Sequence, residues 1–298
     1  MKVNFMPPNY RCKVRIKEKP KSKPFWMLCF AGDDAELHIK IDGLKLDILE
    51  YKKYDYGTAW TQIASRELKK ASNFIEPIVK LNQKPVYKFP PLWSEWKYHI
   101  IDLFHGKCAY CEAYFEQVAF GAVEHYRPKG GVDGEPTHPG YWWLAYNPEN
   151  YLPTCDKCNS YAKKNIFPVA KGTRVMGPQA NLNNEKPLLI NPYIEDPSMH
   201  IEFIPSEVAE NGGMARGVDD KGIETIKIVL LNRQKLLDYR KREMAYGLNT
   251  FLRLFGDTNN QPFLKFIDEV QQGEREFSTA IRTEVNHFLA TRGMNPIF

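Results

Sequence analysis

Four of the six cysteines stand in two pairs of identical spacing. Cys108 and Cys111 form one Cys-x-x-Cys pair, and Cys155 and Cys158 form the other. Two intervening residues let a tight turn direct both sulfur atoms to one point, and two such turns complete a tetrahedral site of four thiolates. A single pair would also suit a redox motif, whereas two pairs favour zinc, which tetrahedral thiolate sites select. The sequence therefore predicts a structural Zn²⁺ site.

Composition and charge are those of an ordinary folded protein. With 298 residues, 43% of them hydrophobic and 26% charged, the chain is long enough for one large domain or two average ones. It has no apolar run of about eighteen residues and no apolar leader, so we expect a cytoplasmic protein without a membrane span. In that compartment paired cysteines favour metal over disulfides. The net charge of +5 is compatible with a nucleic-acid substrate without requiring one.

The first 99 residues are predicted to form a region of strands and helices. Residues 1–57 are predicted to be rich in strands. Apolar and polar residues alternate over 37–41 and 44–48, with Asp42 and Gly43 as a hairpin turn between them, and Phe25–Phe30 is expected to be a buried strand. Apolar positions with a period near 3.6 predict a helix over residues 59–82. We find no catalytic motif here and interpret residues 1–99 as a scaffold or a partner-docking region.

The last part of the chain, residues 176–298, is predicted to be mainly helical. One helical pattern covers residues 221–255 with a division near Asn232, and another covers residues 263–289. Residues 188–193 are expected to form a short strand. The polar face of the longer pattern is basic, and we interpret it as a solvated face, with contact to nucleic acid or a partner as the alternative. Its members are Arg233, Arg240, Lys241, Arg242 and Arg253.

A second group of polar residues lies between and just after the cysteine pairs. Glu124 and His125 are adjacent, Asn150 precedes the second cysteine pair, and Asn159 directly follows it. Each is ordinary alone: an acid–His dipeptide is commonly a surface feature, and the two asparagines suit a turn and a helix start. Their joint order, locked to four cysteines, favours a functional site.

This order resembles the HNH nuclease family, also called the ββα-metal nucleases. The resemblance implies an α+β fold class, with a ββα-metal core over residues 100–175 embedded in a mostly helical chain. In that family an acid–His pair ends the first strand, which matches Glu124 and His125. Asn150 matches the residue that braces the fold, and Asn159 matches the metal-binding position early in the helix. The commoner residues are Asp and His, but Glu and Asn keep oxygen ligands, which suit a hard cation such as Mg²⁺.

The resemblance also implies a chemistry, the hydrolysis of phosphodiester bonds. His125 would act as the general base, since a neutral imidazole can accept a proton from water near pH 7. Glu124 and Asn159 would hold Mg²⁺ or Mn²⁺, whose charge stabilises the phosphate and the leaving 3′ oxygen. Basic residues near the motif are expected to contact phosphates: Lys163 or Lys164 at the scissile phosphate, and Arg127 and Lys129 at flanking ones.

A narrower similarity covers about residues 100–245. The segments that begin at Cys108, Glu124 and Gly222 resemble HNH proteins of bacterial anti-phage defence, associated with retrons and with Septu-type systems. In that group the nuclease commonly acts with an ATPase subunit, which implies such a partner here. Three functions stay open: cleavage of DNA, which we favour, the same chemistry on RNA such as tRNA, and a catalytically silent, zinc-stabilised module that binds nucleic acid or protein.

Overall fold

The computed structural model describes residues 10–16, 25–29, 46–53, 58–116, 119–256 and 260–298, with side chains from residue 60 onward. The chain divides into two compact units, one of residues 1–71 and 89–92 and the other of residues 72–88 and 93–298. The described elements mix helices with small antiparallel sheets, which confirms the predicted α+β class. No helix among these residues has the length and apolar composition needed to cross a bilayer. The predicted boundaries at residues 99 and 175 stay predictions.

The first unit contains a three-stranded antiparallel sheet. Its strands are β1 (Tyr10–Ile16), β2 (Phe25–Cys29) and β3 (Leu46–Lys53), with β1 in the centre. Tyr10 pairs with Cys29 on one side and with Lys53 on the other. This confirms the β-rich prediction for the described strands, and β2 is the apolar run expected there. The predicted hairpin turn at residues 42–43 lies outside the described residues.

Helix α1 (Thr58–Lys80) follows, and the second unit holds its last residues together with the remaining elements. α1 confirms the helix predicted at residues 59–82, but it ends at Lys80, two residues earlier, and it continues through Pro77. The later elements are α2 (Lys97–Leu103), β4 (Ala122–His125), β5 (Tyr151–Thr154), a π-helical segment (Lys157–Lys163), β6 (Ile201–Phe203), β7 (Ala215–Gly217), α3 (Asp220–Ile228), α4 (Gln234–Leu254), α5 (Gln261–Gln271) and α6 (Ser278–Ala290).

The division of the long helical pattern at Asn232 is confirmed, with α3 before it and α4 after it. The Asn232 side chain pairs with the backbone of β7, because its Oδ1 accepts from Ala215 N and its Nδ2 donates to Ala215 O, both at 2.8 Å. The single helix predicted over residues 263–289 is wrong. It is two helices, α5 and α6, separated by a turn in which Gly273 and Phe277 have left-handed backbone conformations.

The strand predicted at residues 188–193 is wrong. The backbone N–H of Ile190 donates to the Thr225 hydroxyl at 2.9 Å, and that of Leu188 donates to Pro168 O at 2.9 Å. Side chains and a loop carbonyl therefore satisfy this segment, and no neighbouring strand pairs with it in the described part of the chain.

Arg240 was expected on the solvated basic face, and the structure corrects this. Its side chain is buried, with 1% exposure for the residue. Nε donates to Gly213 O at 2.7 Å, and Nη2 donates to Leu231 O at 2.9 Å and to Asn232 Oδ1 at 3.3 Å. The guanidinium therefore joins α4 to the β6–β7 turn and to the α3–α4 connection. Burial lowers the pKa of Arg240 to about 10, so it stays charged at neutral pH.

Among the described residues of the second unit, two apolar cores can be distinguished. The larger one surrounds the cysteine cluster and contains Tyr126, Phe167, Leu189 and Met244 among its buried members. The smaller core joins α4, α5 and α6 through the buried residues Phe251, Phe263, Phe266, Val270, Ile281, Val285 and Leu289. The larger core thus holds the segment that carries the predicted site.

The loop between α5 and α6 is fastened to the first cysteine turn. The Glu112 carboxylate accepts from the backbone N–H of Thr279 at 3.1 Å, and the Glu276 carboxylate accepts from Tyr114 N at 2.7 Å. Lys107 Nζ donates to the backbone carbonyl of Arg275 at 2.9 Å. The first cysteine turn therefore rests on the C-terminal helices, although about 160 residues separate the partners in sequence.

Candidate active site and metal centre

Four cysteine side chains meet at one point. The sulfur atoms of Cys108, Cys111, Cys155 and Cys158 lie within 4.8 Å of one another, and the Sγ atoms of Cys111 and Cys155 are 3.9 Å apart. Tetrahedral Zn–S bonds of about 2.3 Å place sulfur atoms about 3.8 Å apart, so the cluster fits Zn²⁺. Within the described residues it is the one group of three or more His, Cys, Asp or Glu side chains close enough to share an ion.

Backbone hydrogen bonds hold both cysteine turns in place. Ala109 N donates to Pro153 O at 2.9 Å, which attaches the first turn to β5, and Cys158 N donates to Cys155 O at 3.1 Å. Without a metal, hydrogen bonds from the other three thiols lower the pKa of the Cys155 thiol, whereas burial raises the pKa of the Cys108 thiol. Arg233 Nη1 donates to the Cys158 sulfur at 3.7 Å, and its charge offsets part of the negative charge of four thiolates.

The hairpin of β4 and β5 leads directly into the π-helical segment. Ala122 pairs with Thr154 at one end of the hairpin, and His125 pairs with Tyr151 at the other. The helix expected at Asn159 is present, and it is π-helical. Lys164 N donates to Asn159 O, five residues back, at 2.9 Å. Short π-helical turns occur frequently at functional sites.

The His125 ring is held in one orientation. Its Nε2 lies 3.0 Å from Ala145 O, and its edges contact Trp93 and Tyr151 at centroid distances of 4.8 and 5.1 Å. Because a carbonyl only accepts hydrogen bonds, Nε2 carries the proton of the neutral ring, and the lone pair of Nδ1 faces Lys129 Nζ at 3.4 Å. Burial, followed by the charge of Lys129, lowers the pKa of His125 well below its usual value. The imidazole is therefore neutral at pH 7.

The Glu124 carboxylate is paired with a buried lysine. Lys163 Nζ lies 2.5 Å from Glu124 Oε1 and donates to His125 O at 3.3 Å. The Lys163 side chain has 0% exposure and that of Glu124 has 8%. Charges buried to this degree require a partner. Lys163 therefore orients the carboxylate and ties the π-helical segment to the end of β4.

A pocket of about 190 Å³ brings together five of the predicted site residues, and Asn150, Lys163 and Arg127 are not in its lining. Lys129 Nζ lies 3.4 Å from His125 Nδ1 and 4.2 Å from the ring centre of Trp93. Burial lowers the pKa of Lys129, and so does the nearby charge of Lys163. The lining residues are Val123, Glu124, His125, Pro128, Lys129, Asn159, Lys164 and Asn165.

The same pocket contains the donor types that a hard divalent cation takes. Mg²⁺ binds through one or two carboxylates, amide or carbonyl oxygens and several waters. Glu124 and Asn159 line the pocket from β4 and from the π-helical segment and supply a carboxylate and an amide oxygen. These donors fit Mg²⁺ with most of its water shell kept, rather than a closed cage of protein ligands.

Neither Asn150 nor Arg127 lines the pocket, and the two residues are hydrogen-bonded to each other. Asn150 Oδ1 accepts from Arg127 N at 2.8 Å, and its Nδ2 donates to Arg127 O at 2.9 Å, so the side chain clamps the backbone two residues past His125. Arg127 Nε donates to Glu185 Oε2 at 2.9 Å. Any phosphate contact by Arg127 is therefore left to its Nη groups, and that contact stays a prediction.

Three supporting groups were missed in the sequence. The Ala145 carbonyl fixes the tautomer of His125, Trp93 confines the ring, and Glu185 holds Arg127. A backbone carbonyl leaves no signal in the residue types, and Trp93 lies outside the motifs that mark the site in the sequence. Glu185 accepts from Tyr141 OH as well as from Arg127. An acid amid a loop carries no periodicity that would single it out.

Comparison with known proteins reveals similarity to Septu proteins. The chain is 35% identical over 144 residues to "Septu protein PtuB" of Bacillus mycoides (strain KBAB4) and 31% identical over 175 residues to "Septu protein PtuA" of the same strain. It is 28% identical over 182 residues to "Septu protein PtuB" of Bacillus thuringiensis. No family model matches the chain, and no solved structure is significantly similar to it.

These matches are partial in both directions. They cover 47%, 56% and 60% of this chain, in the order given, and 48%, 23% and 57% of the three relatives. The chain thus spans about half the length of the two PtuB proteins that it matches. The similarity to Septu proteins confirms that part of the resemblance seen in the sequence, and membership of the HNH family stays a prediction.

Proposed function

We propose that this chain is a metal-dependent HNH endonuclease that hydrolyses phosphodiester bonds of DNA. The observation that carries the proposal is the common pocket. Glu124, His125 and Asn159 come from two different elements, yet all three line one cavity beside Lys129 and Lys164. The family resemblance implies two strands followed by a helix. The structure has β4, β5 and the π-helical segment in this order, with the second cysteine pair where β5 leads into the π-helical segment.

The proposed base is Nδ1 of His125. Because Nε2 donates its hydrogen bond to the Ala145 carbonyl, a proton taken from water goes to Nδ1. The water oxygen then forms a bond to phosphorus, the bond from phosphorus to the 3′ oxygen breaks, and that oxygen is protonated from solvent. Trp93 and Tyr151 keep the ring from rotating, which holds Nδ1 on the side of Lys129.

The remaining residues would bind and neutralise the phosphate. Lys164 is exposed and lines the pocket, so its ammonium can reach a non-bridging oxygen, and Lys129 can pass from His125 Nδ1 to a flanking phosphate. Mg²⁺ held by Glu124 and Asn159 would supply the positive charge that stabilises the phosphate and the leaving oxygen. Zn²⁺ in the cysteine cluster would be structural, because four thiolates leave no open position.

The Septu similarity supports a place in anti-phage defence. The relatives are PtuA and PtuB proteins, and we propose that this chain is the effector nuclease of such a system and acts in the cytoplasm with an ATPase subunit. Because the matches cover only parts of those proteins, activity, substrate and partner all belong to the proposal.

The first test is cleavage of end-labelled DNA, both single-stranded and duplex, and of total RNA in parallel, with Mg²⁺ or Mn²⁺. The variant is His125→Ala, with zinc content and circular dichroism as controls for folding. We expect DNA to be cut by the wild type and to stay intact with the variant. Cutting of RNA alone would move the proposal to RNA. Unchanged cutting by the variant would refute the assignment of the base. Intact substrates with and without a co-purified ATPase would contradict the nuclease proposal.

A further inference from the structure

We propose that two exposed aromatic side chains beside the pocket, Phe120 and Tyr161, stack on unpaired nucleobases, so that the nucleic acid is bound in single-stranded form. The inference rests on the proposed function, because it assumes that the pocket takes a phosphodiester. It adds the physical state of the substrate, which neither the catalytic residues nor the similarity to Septu proteins specifies.

Both aromatic side chains are unusually exposed, and each has a lysine beside it. Phe120 is 87% exposed and Tyr161 is 65% exposed. Lys97 Nζ lies 5.5 Å from the centre of the Phe120 ring, and Lys157 Nζ lies 5.4 Å from that of Tyr161. Single exposed aromatics are common on protein surfaces. An aromatic face with an adjacent cation offers more, because it suits a base and its phosphate together.

The two residues adjoin the elements that line the pocket. Phe120 precedes the lining residue Val123 by three positions, and Tyr161 follows the lining residue Asn159 by two. At about 3.8 Å per residue, these Cα atoms are at most about 11 Å and about 8 Å apart. Ala122 pairs with the last residue of β5, so the segment before β4 and the segment after β5 leave the same end of the hairpin.

The chemistry of the two rings favours single strands over duplex. In a duplex each base face is already covered by its neighbours, whereas an unpaired base can stack on a protein ring. Phe120 has no hydrogen-bonding group and cannot read a base edge. Stacking of this kind tolerates any base, so we expect it to select an unpaired strand rather than a particular sequence.

The test measures binding apart from cleavage. It uses fluorescence anisotropy with a labelled single-stranded DNA, the same sequence as RNA, and the DNA duplex. The protein carries His125→Ala and no divalent cation is added, so the strands stay intact. Added variants are Phe120→Ala, Tyr161→Ala and Phe120→Trp, and Tyr246→Ala is the matched control, because Tyr246 is 59% exposed on α4 and does not line the pocket.

Each of the two alanine variants should weaken single-strand binding by about 5- to 150-fold and change duplex binding little. Phe120→Trp should bind single strands as tightly as the parent protein does, and so should the control Tyr246→Ala. A strand with abasic positions should bind the parent protein weakly and should not respond further to Phe120→Ala. An effect on one polymer alone would support stacking and identify that polymer as DNA or RNA.

Other outcomes would overturn the inference. These are alanine variants that bind single strands like the parent, equal losses for duplex and single strand, or no binding to any nucleic acid. If no nucleic acid binds, the two rings would instead be assigned to contact with a protein partner. Failure of the two proposals is distinguishable. Cleavage that depends on His125 with no role for Phe120 would refute only stacking, and stacking without cleavage would refute only the nuclease.

Discussion

Replacing Lys163 by methionine tests whether Lys163 and Glu124 form a buried ion pair. Met fills a similar volume but leaves the Glu124 carboxylate, which is 8% exposed, without its partner at 2.5 Å. Removal of one member of such a pair costs about 3–5 kcal/mol, because a buried charge is left uncompensated. The control is Lys164→Met, one residue further on. Lys164 is exposed, so its replacement should change stability by no more than about 0.5 kcal/mol.

The assay is urea unfolding of the zinc-loaded proteins, followed by far-ultraviolet circular dichroism. With a slope of about 3 kcal/mol/M, the Lys163→Met midpoint should fall by about 1–1.7 M, and that of Lys164→Met should hardly move. Adding Glu124→Gln to Lys163→Met should recover part of the loss, because the unpaired charge is then gone. Equal midpoints for the two methionine variants would refute the view that Lys163 is a buried counterion.

Three further predictions concern other parts of the second unit. Cys155→Ser should lose bound zinc and thermal stability together, as metal analysis and calorimetry of one sample would show, and a stable zinc-free variant would contradict a structural site. Burial lowers the pKa of His138 below 6.5 in the folded state, and its Nδ1 accepts from Gly140 N at 3.0 Å. The unfolded chain binds this proton more readily, so stability should fall as the pH drops through and below 6.5, and less steeply in His138→Gln. Arg240→Met should cost about 2–6 kcal/mol, since the buried carbonyls of Gly213 and Leu231 lose their donor, and an unchanged melting temperature would show that these bonds contribute nothing.

The parts of the site that depend on spacing could be predicted from the sequence. Two residues between cysteines fix a turn, so four sulfur atoms could be expected at one point, and the structure brings them together. The resemblance to the HNH family, rather than spacing alone, led us to expect Glu124, His125 and Asn159 in one site. All three line one pocket, and their catalytic roles stay predictions.

The different positions of Lys163 and Lys164 could not be predicted, because they depend on the exact rotation from one residue to the next in the helix. Lys163 and Lys164 lie about one turn beyond Asn159, and no pattern in the residue types separates their roles. The π-helical bonding of this segment changes the angle between successive side chains from that of an α-helix. One lysine is consequently buried on Glu124, while the other lines the pocket.

Contacts between distant segments were also beyond the reach of residue patterns. Arg240 follows the polar periodicity of α4, and only the three-dimensional fold brings the carbonyls of Gly213 and Leu231 to its guanidinium. The same holds for the Ala145 carbonyl at His125, twenty residues away in the chain. Backbone acceptors have no residue type, so periodicity and composition do not detect them.

The contacts between the first cysteine turn and the loop between α5 and α6 have a consequence for biosynthesis. Lys107, Glu112 and Tyr114 find partners at residues 275–279, which leave the ribosome about 160 residues later. During translation the turn that carries Cys108 and Cys111 therefore lacks these contacts until the start of α6 has left the ribosome. The residues that line the pocket are all synthesised by residue 165, but the surroundings of the cysteine cluster are completed only late in synthesis.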